Sequence, residues 1–307
     1  MTDRQFRPML AARQEAVNSL LCVGLDPLVE KIPTILRTSK PYVISDRDAT
    51  YDHMKKIVDA TAPFASMFKP QRAHWEAIPD GTTALRSLVS YIHTNHPDIP
   101  VFLDCKRGDI DRTQRQYREA HFTLDGVDGM NYNGYMGKDT LKSLVDPAQL
   151  GRALVGLGRT SNPEAWEIQD RLLQAREQPV WQMMLECIHK WSEEFGVIEN
   201  AGVVMGAAYK RPGGNDIYSS HLEQARAIVG DKLWFLIPGV GKQGGAVYET
   251  VRTAYRGPGS IAINSSSDIN FASSGPDFAE AAARAAEKLR DEMNQARVEV
   301  RNAASIS

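Results

Sequence analysis

Short apolar runs alternate with longer amphipathic stretches from one end of the chain to the other. The runs that read as strands are 20–25, 65–69, 100–106, 129–133, 153–157, 202–208, 233–238 and 260–265. Between them, helical spacing of apolar positions predicts helices over stretches such as 82–93, 113–122, 166–195, 221–229 and 246–255. The last strand leads into 276–300, an Ala/Glu/Arg-rich segment with a strong helical bias. Eight strands, each followed by a helix, argue for a closed parallel (β/α)₈ barrel, with helical extensions at both ends of one domain spanning residues 1–307. The rival, an open doubly wound sheet, predicts a G-x-G-x-x-G turn after the first strand, and Gly24-Leu25-Asp26-Pro27 is not one. The stretch between Arg159 and Gly202 is long for one βα unit and should hold an extra loop beside the helix at 166–195.

Composition narrows the class without changing that picture. Of 307 residues, 42% are apolar and 24% charged, the balance of a globular chain with a substantial core. A formal net charge of −2 gives no reason to expect nucleic acid or an acidic membrane as partner. Cys22, Cys105 and Cys187 form no C-x-x-C pair and are too scattered for a disulfide framework, so reduced thiols in a cytoplasmic protein are expected. The first residues lack the apolar run of a signal peptide, and no stretch approaches the roughly 18 apolar residues that span a bilayer.

Candidate chemistry concentrates on the third strand, where Val101-Phe102-Leu103 runs directly into Asp104-Cys105-Lys106. Side chains two apart on a strand share a face. If Leu103 and Cys105 face the helices, then Phe102, Asp104 and Lys106 face the barrel axis at the carboxyl end, where barrel active sites sit. A buried Asp beside a Lys is costly unless the two satisfy each other or serve a purpose. The bland alternative is an ion pair that merely ends a strand. Asp109 adds a second carboxylate just beyond it.

Asp104-x-Lys106-x-x-Asp109-Ile110-x-x-Thr113 resembles the signature of the orotidine 5'-monophosphate decarboxylase family, in its longer bacterial branch. Five further segments are similar to family motifs in the same order: Leu21–Pro27, Phe68–Gln71 with Trp75-Glu76, Asn133–Asp139, Thr160–Pro163 and Pro238–Gly245. The resemblance implies decarboxylation of orotidine 5'-monophosphate to the uridine nucleotide, in de novo pyrimidine biosynthesis, with neither metal nor organic cofactor. It implies a charged array of Lys69, Asp104, Lys106 and Asp109, with Lys106 delivering the proton to C6 and kept charged despite burial by its neighbours. Asp109 and Thr113 would reach the site of a second subunit in a homodimer. Asp26 would contact the ribose, Ser161 and Gln243 the pyrimidine, and Gln243, Gly244 and Gly245 would belong to a phosphate loop.

Glycines let backbone N–H groups approach an anion, so residues 238–245 suit that loop. One departure stands out. Where the family carries an Arg that grips the phosphate, this chain reads Asn264-Ser265-Ser266-Ser267-Asp268, with Ser267 at the Arg position. Losing a bidentate Arg–phosphate contact should weaken binding, and Lys242 is the candidate to replace it in part. Gly206-Ala207-Ala208 also departs from the family, which often has Thr at the last position.

Two rivals remain open. One is a metal-dependent sugar-phosphate decarboxylase, aldolase or epimerase on the same scaffold. The other is a nucleotide-binding variant with turnover impaired by Ser267. His93 and His96 offer too few ligands for zinc. Trp166, Trp181 and Trp191 are expected to pack against the barrel rather than stack on a base. The charges of the tail from 284 to 301 balance, as on a solvated helix face.

Overall fold

A computed structural model of the chain describes residues 4–39, 42–174, 176–210, 217–239 and 244–304. Eight of its strands form one sheet: β1 Leu21–Leu25, β2 Met67–Pro70, β3 Phe102–Arg107, β4 Gly129–Tyr132, β5 Ala153–Leu157, β6 Gly202–Val204, β7 Trp234–Pro238 and β8 Ile261–Ser265. Their spatial order is β2, β1, β8, β7, β6, β5, β4, β3, and every neighbouring pair is parallel. The two ends of this order meet through parallel bridges, Phe68 to Val101 and Gln71 to Asp104, so the sheet closes into a barrel.

The longer helices are α1 Phe6–Ala16, α2 Asp46–Thr61, α3 Gly81–Asn95, α4 Asp111–Arg118, α5 Val180–Glu194, α6 Ser220–Val229, α7 Gly244–Ala254 and α8 Phe278–Ala304. The start of α2 shows how local sequence sets an end. The Ser45 hydroxyl accepts from the Asp48 N–H, and Asp46 and Asp48 lie in the first turn, where they oppose the positive end of the helix dipole.

Strand alternation divides the core in two. Leu21, Val23, Val101, Leu103, Phe235, Ile237, Ile261 and Ile263 pack outward with apolar residues of the surrounding helices. Cys22, Met67, Phe102, Val155, Val204, Trp234, Leu236 and Ala262 pack among themselves inside the barrel. Phe6 and Leu10 of α1 join this inner cluster and close the amino end of the barrel. Phe6 stacks on Trp234 at 5.2 Å and meets Phe102 edge-on at 6.0 Å. The Phe6 N–H donates to the Gly151 carbonyl just before β5.

The structure corrects several expected boundaries. The helix expected over 166–195 begins at Val180, because Pro179 holds an extended conformation at its N-cap and has no N–H to continue a helix backward. Before it lie a 3₁₀ turn at Pro163–Glu167 and a small antiparallel ribbon of Leu172–Leu173 with Gln178–Pro179. Trp166 is consequently half-exposed, whereas Trp181 is buried and Trp191 packs partly against the core. The helix expected over 113–122 begins at Asp111 and continues as a π-helical turn, Glu119–Leu124. The strand expected over 202–208 ends at Val204. Among the described residues, no helix is long and apolar enough to cross a membrane.

Candidate active site

Two strands deliver the candidate charges to the carboxyl mouth of the barrel, and a third supplies an amide. Lys69 comes from β2, Asp104 and Lys106 from β3, and β4 adds a residue that strand patterning did not single out, Asn131. Asp104 lies between the two ammonium groups. Lys106 Nζ is 2.6 Å from its Oδ1 and Lys69 Nζ is 3.4 Å from its Oδ2. Asn131 Nδ2 donates to Asp104 Oδ1 at 2.7 Å.

Asn131 also shapes β3. Its Oδ1 accepts from the backbone N–H groups of both Cys105 and Lys106, at 2.8 and 2.7 Å. The pairing of β3 with β4 shifts register between Leu103 and Arg107, and Lys106 takes φ +47°, a left-handed conformation uncommon outside glycine. Two consecutive N–H groups that a regular ladder would not aim at one atom are thus both satisfied by one amide oxygen. A fully buried Asn between Met130 and Tyr132 was the available signal, since a buried amide must find partners.

Burial falls unevenly on the two lysines, which changes the expectation for Lys106. The Lys106 side chain is 46% exposed, and it is Lys69, at 4%, that carries the desolvation. Burial would lower the Lys69 pKa, but the charges of Asp26 and Asp104 outweigh it, and the net shift is upward. Burial would likewise raise Asp104. The charges of Lys69 and Lys106 and the hydrogen bonds from Lys106 and Asn131 prevail and hold it at about 2. Asp104 is therefore ionised throughout the neutral range. Asp26 follows β1, and its Oδ1 is buried without a hydrogen-bond partner.

Asp109 does not join this array within the chain. Its Oδ1 accepts from the Ile110 N–H at 2.8 Å, and its own N–H donates to Gln114 Oε1 at 3.2 Å. Thr113 and Ile110 beside it are exposed.

The opposite side of the mouth is built from small residues. Ser161, in the loop after β5, lies against two glycines. A Cβ placed at Gly206 would come within 3.3 Å of its Cα, and one at Gly239 within 3.7 Å of its Oγ. Gly239 has φ +81°, so it needs to be glycine for its backbone as well. Gly244 and Gly245 open α7, while Lys242 and Gln243 lie outside the described residues. After β8, Ser267 begins a short helical turn, Ser267–Asn270, and both Ser267 and Asp268 are exposed. Ser266 packs so closely on β1 that a Cβ at Gly24 would fall 1.8 Å from its Oγ.

The other candidates separate from this site. His93 pairs with Asp128 and His96 with Asp59. Cys22 lies inside the barrel and Cys105 points out toward the helices. Burial raises both thiols, Cys105 to about 12, so neither is primed as a nucleophile.

The model of the orotidine 5'-phosphate decarboxylase / HUMPS family matches residues 19–285. The chain is 37% identical to the orotidine 5'-phosphate decarboxylase of Ralstonia nicotianae, over 95% of this chain and 99% of that protein. It is 36% identical to the protein of the same name from Cupriavidus necator, over 95% and 98%. Among solved structures, the OMP decarboxylase of Leishmania donovani superposes with a TM-score of 0.74 at 26% identity, covering 96% of this chain and 99% of that one.

Proposed function

Because the chain belongs to the orotidine 5'-phosphate decarboxylase / HUMPS family, we propose that it converts orotidine 5'-monophosphate to uridine 5'-monophosphate and CO₂. The observation that carries this reading is the Lys69–Asp104–Lys106 array at the mouth of a closed barrel, with Asp104 held ionised between two ammonium groups.

Loss of CO₂ from C6 leaves an electron pair with no adjacent carbonyl to delocalise it. Fixed charge in a closed site is the physical means of stabilising it. Lys106, the more accessible of the two lysines, stabilises the pair at C6 and supplies the proton that replaces the carboxylate. Asp104 faces the departing carboxylate, and its repulsion is relieved as CO₂ leaves. Lys69, buried below, holds Asp104 in place and ionised. Asp26 contacts the ribose and Ser161 and Gln243 the base, while Lys242, Gln243, Gly244 and Gly245, together with Ser267, receive the phosphate. Binding energy at the phosphate serves the distant reaction by closing loops over the base.

The proposed working unit is a cytoplasmic homodimer in which Asp109 and Thr113 complete the partner's array. The exposure of Ile110 and Thr113, and the bonding of Asp109 to Ile110 and Gln114 within its own chain, support that arrangement.

The test follows the fall in orotidine monophosphate absorbance. The wild-type protein consumes the substrate in excess chelator, and Lys106→Ala lowers kcat by roughly 10²–10⁴-fold. A wild-type protein that leaves the substrate untouched defeats the reading.

A further inference from the structure

Just outside the barrel, behind the charged array, lies a second set of ionisable groups that the reaction does not touch. Arg107 follows Lys106 directly. Its Nε donates to His121 Nε2 at 3.1 Å, its Nη2 to Glu76 Oε1 at 2.9 Å, and its guanidinium covers the Tyr117 ring at 4.6 Å. His121 is 1% exposed and sits on the π-helical turn, where the Asp125 N–H reaches back to the Ala120 carbonyl. From there its Nδ1 lies 2.8 Å from Asp125 Oδ2. Asp125 is itself buried and also pairs with Arg72 and Arg86. Arg72 follows β2 three residues after Lys69 and donates to the same Glu76 oxygen as Arg107.

A guanidinium can only donate, so His121 Nε2 must accept and Nδ1 must carry the hydrogen given to Asp125. One tautomer of a neutral imidazole therefore links Arg107 to Asp125. Directly through Arg72, and through Arg107 and His121, the strands that bear Lys69 and Lys106 are both tied to the buried Asp125 carboxylate. Insertion of a π turn is costly, and such turns gather at functional positions. Here it aims a histidine at the residue that follows the left-handed Lys106.

We propose that His121 is a positioning residue for the decarboxylation: it fixes Arg107, and with it the Lys106 bulge and the turn that carries Asp109. The inference rests on the decarboxylase reading above. The groups facing His121 are Asp125 on its own turn, Arg107 from β3 and Arg72 from the turn after β2, with Tyr117 stacked on it at 6.2 Å. Glu76 and Arg86 complete the network through these partners. Burial, opposed by Asp125 and reinforced by the two arginines, holds the imidazole below its ordinary 6.5. On protonation Nε2 can no longer accept from Arg107. Positioning is thus present above 6.5 and is lost as pH falls through the lowered value.

The experiment measures kcat and KM from about pH 8 down to the lowest pH at which both proteins stay folded, for wild type and His121→Gln, whose flexible amide holds Arg107 less firmly than the imidazole and cannot gain a proton. The expected result is a kcat roughly 10-fold lower for His121→Gln at neutral pH, with KM unchanged and with the acidic fall in wild-type kcat absent. The same acidic fall in both proteins, or a lowered melting temperature with unaltered kcat, overturns the proposal. Should His121→Gln fail to fold, ¹⁵N spectra of the wild-type histidines decide: the Nδ1–H tautomer supports the proposal and Nε2–H refutes it. That spectrum is read without turnover, so a wild type that does not decarboxylate sinks the reaction and leaves the tautomer to be judged by itself.

Discussion

The Lys69–Asp104 side of the barrel mouth and the Ser161–Ser267 side hold their residues by different means. On the first side, strands aim the groups, and each is fixed by at least one partner: two lysines on Asp104, and an asparagine on both Asp104 and the bulge. On the second, serines pack closely against glycine backbone, as Ser266 does at Gly24 and Ser161 at Gly206. The first side can hold charge in a fixed place, which stabilising a short-lived electron pair requires. The second leaves glycine backbone with no side chain in the way of an anion, which suits the proposed phosphate binding. The difference predicts that damage on the first side appears in kcat and in stability, and damage on the second in KM.

The largest effect is expected from Asp104→Asn. Removing this carboxylate leaves Lys69 buried beside a neutral amide, at a cost of about 3 kcal/mol in denaturant unfolding, and it also lowers kcat. In the wild type this carboxyl is held at about 2, below its ordinary 3.8. Its contribution is complete above 3.8 and is lost as pH falls through about 2. Asp104→Asn should lack that part of the acid dependence, and an unchanged acid profile would break the contrast between the two sides. A smaller effect, of opposite sign, is expected on the second side. Ser267→Arg restores a charge-assisted contact to the phosphate and should raise kcat/KM about 10-fold through KM alone. A change in kcat instead would mean that the two sides are not separable. The smallest effect belongs to Lys242→Ala, for which KM should rise about five-fold, the equivalent of about 1 kcal/mol. An unaltered KM would remove Lys242 as the substitute cation.

The sequence carried much of the first side because its message is local. The two-residue period of 102–106 places Phe102, Asp104 and Lys106 on one face, and Phe102 indeed joins the inner cluster while Leu103 joins the outer. What it could not convey is the bulge at Lys106, which depends on an amide from the neighbouring strand. The left-handed turn at Lys106 goes with that contact, and no periodicity distinguishes the exposed Lys106 from the buried Lys69. The misjudged start of α5 is different in kind, because Pro179 stood in the sequence as a stop signal and the apolar spacing on either side hid it. Asp109 illustrates a third limit. Its proposed place lies on another copy of the chain, where neither strand period nor intrachain packing can put it.

The stopper at the amino end bears on all of this as an insulator. Phe102 lies on the face that also carries Asp104, and Phe6 and Trp234 fill the axis below it. Aromatic rings screen the charges above them far less than water would. The barrel in effect mounts its electrodes on an aromatic plate, and the mouth is the side from which a ligand meets their field.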